Sequence, residues 1–126
     1  MLKILEGASK KAIALEIIDG YEKADEKFIE KQFNEKIAAG STKVNLLVKI
    51  DNLSFSKSSW KAMWNDGLYA IKHISNCGRI AIVGDNKIEE FLIKSDNMFF
   101  GSEKAGRIEK YFSVEDLDKA LGWINE

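Results

Sequence analysis

Four consecutive apolar residues, Ile80-Ala81-Ile82-Val83, follow Arg79 and end at Gly84-Asp85. A strand alternates its side chains between two faces, so an unbroken apolar run of this length is buried on both. That requires a second layer on each side of a sheet, which parallel α/β sheets provide through their crossover helices. The rest of the chain has to supply those layers.

It does so in alternation. Residues 2–6 and 12–18 read as two strands around the turn-like Gly7-Ala8-Ser9-Lys10, with Ala12, Ala14, Glu16 and Ile18 alternating against Ile13, Leu15 and Ile17. Residues 22–39 carry Phe28, Ile29, Phe33 and Ile37 on one helical side, and Gly40 supplies a stop. Lys43 to Ile50 is the next strand, and Asp51-Asn52 lead from it into a serine-rich stretch. From about Ser59 to Ser75, residues Trp60, Met63, Trp64, Gly67, Leu68, Ala70, Ile71 and Ile74 share a helical arc of ~160°. Gly78 is expected to end that helix, and Arg79–Val83 to form the fourth strand. Asn86 and Glu89 make a capping box for a helix with Ile88, Phe91, Leu92 and Ser95 on one side. Arg107–Phe112 reads as a fifth strand. Ser113 and Asp116 then cap a last helix whose Val114, Leu117, Leu121 and Ile124 face inward. The expected order is ββαβαβαβα over one domain, 1–126: an α/β fold with a five-stranded, mostly parallel sheet, its first strand antiparallel, and about four helices.

Composition narrows the function. Nineteen basic against twenty acidic residues give a net charge of −1, which argues against a general nucleic-acid binder. Cys77 is the one cysteine, so no internal disulfide is available and a reducing cytoplasm fits. No apolar stretch approaches the ~20 residues that span a bilayer, leaving only a peripheral membrane role.

Several side chains are candidates for a site. Asp66, Tyr69 and His73 form a stripe nearly opposite the apolar arc of their helix, where they could meet the polar end of a ligand, or tie the helix to its loop. His73 and Cys77 are spaced as two metal ligands, but a closed zinc site wants four, so no metal and no cofactor are expected. Asp51 and Asp85 each follow a strand at the edge where open α/β sheets take ligands, and turn formation accounts for both. Phe91 to Gly101 holds Phe91, Met98, Phe99 and Phe100, more large apolar residues than one helical face can bury. Such a surplus suits a lid over an apolar pocket, a membrane-dipping edge, a partner surface or the bottom of the core. No Ser-His-Asp order or pair of catalytic carboxylates stands out, so an enzyme is not expected.

Leu2–Gly7, Leu46-Leu47-Val48, Trp64-Asn65-Asp66, His73, Arg79–Asp85, Tyr111-Phe112 and Leu121-Gly122-Trp123 together resemble the SpoIIAA-like family, a relative of the STAS domains of sulfate transporters and anti-sigma-factor antagonists. The resemblance implies a small cytoplasmic bacterial domain with no assigned reaction. It also implies distant similarity to CRAL-TRIO lipid-binding domains, with ligand binding and peripheral membrane association. Anti-sigma-factor antagonists carry Asp-Ser-Ser-Gly, with a phosphorylated serine, at the start of the helix after the third strand. Here Ser58-Ser59 are kept, but Lys57 stands for the aspartate and Trp60 for the glycine.

The expectation is therefore a non-enzymatic binding or regulatory module. An apolar or lipid-like molecule would lie between the Trp60–Ile74 and Phe91–Phe100 segments, contacting Trp60, Trp64, Asp66, Tyr69, His73, Phe91, Met98, Phe99 and Phe100. The alternative is a protein-interaction module phosphorylated at Ser56, Ser58 or Ser59, where free N–H groups at a helix start favour a phosphate. Either can be a homodimer.

Overall fold

A computed structural model of the chain describes residues 2–18, 23–40, 43–50, 77–85 and 108–126. Five strands form one sheet in the order β1 (Leu2–Ile4), β2 (Ala12–Ile17), β3 (Val44–Ile50), β4 (Cys77–Gly84), β5 (Ile108–Ser113). β1 runs antiparallel to β2, with Leu2 opposite Ile17 and Ile4 opposite Leu15. The remaining pairs are parallel. The mixed, mostly parallel sheet is the one expected from the strand patterns. Two α-helices occur among the described residues, α1 (Lys23–Ala38) and α2 (Leu117–Asn125). The expected helices over 59–75 and after Asn86 lie outside the described residues.

The strand β4 confirms why its run is apolar throughout. Ile80 and Ile82 join the cluster under α1, while Ala81 and Val83 join the cluster under α2. All four are at most 2% exposed. In β2 the alternation separates large from small: Ile13, Leu15 and Ile17 face α1, and Ala12 and Ala14 face α2. On α1, Ile29 and Phe33 are completely buried, and Phe28 and Ile37 pack at the margin. Gly40 ends the turn after α1 with φ of 105°, and its N–H donates to the Ile37 carbonyl (3.0 Å).

Two expectations about the chain ends of elements need correction. Val114 does not face inward; it is 44% exposed. Residues Val114–Asp116 form a 3-10 turn, and α2 begins only at Leu117. At three residues per turn the face rotates away from the α-helical count and leaves Val114 outside, while Ile124 is buried as expected, together with Ala120, and Leu117, Leu121 and Trp123 pack beside them. The Ser113 side chain makes no capping bond to the backbone; its hydroxyl donates to Asp116 Oδ2 (3.2 Å).

Gly78 does not end a helix either. It lies in β4, and a Cβ there would stand 2.5 Å from Oδ1 of Asn45. Glycine here permits close approach of a neighbouring strand's side chain, not a turn. Asn45 is itself held at both ends, so it cannot swing aside freely. Gly78→Ala is expected to cost about 2 kcal/mol by overpacking, read as a lower urea midpoint at unchanged m-value.

Candidate functional site

The parallel strands β2 to β5 all point the same way, so one edge of the sheet gathers their C-terminal ends: Ile17, Ile50, Gly84 and Ser113. Open α/β sheets take ligands at this edge. On the face that carries α2, the last row before it holds an ion pair. Glu16 on β2 and Lys49 on β3 are opposite each other in register. Lys49 Nζ donates to Glu16 Oε2 at 2.8 Å, with side chains 26% and 15% exposed. Lys3 on β1 lies opposite Glu16 and is exposed, while Val83 and Phe112 continue the row as buried apolar residues.

Two charges in otherwise apolar strands carry a desolvation cost that their attraction largely offsets. A double-mutant cycle with Glu16→Gln and Lys49→Met is expected to give a coupling of about 1 kcal/mol, above the few tenths usual for an exposed pair. What this arrangement offers chemically is a fixed pair of opposite charges beside an apolar row. It can orient a polar group.

On the α1 side of the same edge, Tyr111 ties the exit of β4. Its hydroxyl lies 2.6 Å from the Gly84 carbonyl and 3.0 Å from the Asp85 carbonyl, holding the chain where it leaves the sheet. Asp85, flagged by the sequence as an edge carboxylate, is half-buried at this point.

At the opposite, N-terminal edge the contacts are structural. Asn45 is 8% exposed, donates from Nδ2 to the Ile124 carbonyl (2.6 Å) and accepts the Arg79 N–H at Oδ1 (2.8 Å). Arg79 Nη1 donates to the Trp123 carbonyl (2.7 Å) and to Glu126 Oε2 (2.8 Å), and its guanidinium stands 5.2 Å from the Trp123 ring centre. Trp123 in turn packs on Phe112 at 5.8 Å. A helix leaves its last carbonyls without intrahelical partners, and here Asn45 and Arg79 take up two of them. Arg79, Phe112 and Trp123, three residues that carry the family resemblance, thus meet in one cluster that docks α2.

The sequence-based ligand residues Trp60, Trp64, Asp66, Tyr69, His73, Phe91, Met98, Phe99 and Phe100 lie outside the described residues, as do Ser56, Ser58, Ser59 and Asp51. Cys77 begins β4 rather than continuing a helix from His73. Among the described residues no group of three or more His, Cys, Asp or Glu side chains is placed to hold a metal ion. No helix among them is long and apolar enough to cross a membrane. Glu16 and Lys49 were not singled out by the sequence reading. The signal was present: each is the lone charge in an apolar strand, one residue before its end, and the two are opposite in sign.

The fold and this edge define a small α/β domain built on a parallel sheet with one antiparallel edge strand. The SpoIIAA-like family model matches residues 12–125, and the chain belongs to the SpoIIAA-like family. Neither a curated protein nor a solved structure matches it.

Proposed function

We propose that the chain is a non-enzymatic binding module that takes an apolar or lipid-like small molecule at the C-terminal edge of its sheet. The observation that carries this reading is the half-buried Glu16–Lys49 pair beside the apolar Val83–Phe112 row. An amphipathic ligand would set its polar end at the pair and its body against the apolar side chains of the segments that follow β3 and β4. Connectivity supports the same edge. The chain leaves β3 at Ile50 toward the tryptophan-bearing segment and β4 at Gly84 toward Phe91, Met98, Phe99 and Phe100. On this reading Asp66, Tyr69 and His73 supply further polar contacts, and the aromatic surplus closes over the ligand or dips into a membrane surface. Native mass spectrometry of protein taken straight from cells, followed by denaturing extraction, tests it. A reproducible lipid or small-molecule adduct, weakened in Glu16→Gln, is the expected result; a clean apo mass overturns it.

Family membership favours a second reading, a protein-interaction module switched by phosphate on Ser56, Ser58 or Ser59. A gain of one phosphate mass, with partners that change when all three serines become alanine, is its expected signature. The same native spectra report whether the chain forms a homodimer.

A further inference from the structure

Far from the C-terminal edge, the β1–β2 turn and α1 border an open cleft. Its volume is about 340 Å³, and its lining includes Ile4, Leu5, Ile13, Glu6, Gln32 and Lys36. That volume is at the low end of what small-molecule sites offer. The floor is apolar, and Ile4 is 58% exposed there, one of the two large apolar side chains left that open among the described residues.

The charged groups decide the ligand class. Lys36 stands in the last turn of α1 and makes one long hydrogen bond, Nζ to the Ser9 carbonyl at 3.5 Å. Among the described residues no carboxylate lies within ion-pair distance of it, although Glu6 lines the same cleft. An ammonium with two donors unspent, half-buried over an apolar floor, is a receptor for a carboxylate. The Gln32 amide beside it can complete the contact. Glu6 on the exposed rim disfavours a second negative charge. Next to this corner the Ser9 hydroxyl is buried without a partner among the described residues, so the turn holds unspent hydrogen-bonding capacity.

We propose that this cleft binds a small monocarboxylate with an aliphatic body, its carboxylate on Lys36 and its chain against Ile4, Leu5 and Ile13. The site is independent of the one proposed above.

Titration of the full chain with 4-methylpentanoate, followed by amide chemical shifts in NMR, tests the proposal. Shifts at Gly7, Ala8, Gln32 and Lys36 are expected, with a dissociation constant on the order of 1 mM or tighter. The neutral 4-methylpentanamide and the dicarboxylate hexanedioate should bind at least about tenfold more weakly. Lys36→Met should weaken 4-methylpentanoate by about the same factor, while Lys36→Arg stays close to the parent protein. Absence of localised shifts at about 10 mM ligand overturns the proposal. So does equal response to carboxylate and amide, a comparison made on the unmutated protein and therefore independent of how any variant folds.

Discussion

Phe33→Ala is expected to lower the unfolding free energy by about 4 kcal/mol. Phe33 is fully buried in the α1-side cluster, with Ile29 on its own helix and Leu15, Leu46 and Ile80 among the sheet residues of that cluster. Truncation removes the transfer energy of the ring and leaves a cavity between two rigid layers, which relax little. A domain of this size has about 5–15 kcal/mol in all, so the variant sits near its threshold. Phe33→Leu, which keeps most of the volume, should cost under about 1.5 kcal/mol. Urea unfolding with unchanged m-value checks both. A loss below about 1.5 kcal/mol for the alanine variant would mean that α1 is not packed as described.

The elements that the sequence makes plain are those whose local pattern has one solution. Ile80-Ala81-Ile82-Val83 has no polar face to offer water, and β4 is buried on both sides. Phe28, Ile29, Phe33 and Ile37 recur at helical spacing, and α1 buries that side. The misreadings occur where one residue has two physical uses. Gly78 suits a helix stop and a close backbone approach equally well; only Asn45, 33 positions earlier, selects the second. Val114 fits the α2 face if the helix starts at Ser113, but a 3-10 turn changes the angular count before Leu117.

The site was less legible for a different reason. Helical periodicity places Asp66, Tyr69 and His73 on one stripe, yet no local rule states what a stripe faces. The Glu16–Lys49 pair depends on β2 and β3 being parallel and in a particular register, which sets two residues 33 positions apart directly opposite. A lone charge in each of two apolar strands hints at such a pair without naming the partner. The Lys36 cleft is hidden further, because it arises from the meeting of a turn and a helix whose sequences are individually ordinary.

Asn45 concentrates this long-range dependence, and Asn45→Ala is expected to cost about 3 kcal/mol. Its side chain is buried and satisfies two backbone groups from different elements, the Arg79 N–H of β4 and the Ile124 carbonyl of α2. Alanine leaves both unpaired, at about 1–3 kcal/mol each when water cannot replace the lost partner. The amide of Arg79 should then exchange with solvent faster relative to its β4 neighbours, a local signature that a global loss of packing would not give. The glycine beneath it supplies the sharper check. In the parent protein a Cβ at residue 78 collides with Asn45 Oδ1 at 2.5 Å, whereas its next contact, Lys43 Cβ at 3.5 Å, is ordinary packing. Once Asn45 is alanine, the collision is gone. Gly78→Ala should therefore fall from a cost of about 2 kcal/mol to within about 0.5 kcal/mol of neutral in the Asn45→Ala background. Additive losses would instead place the strain at Gly78 in the backbone and would detach it from the asparagine clamp that docks α2 onto the sheet.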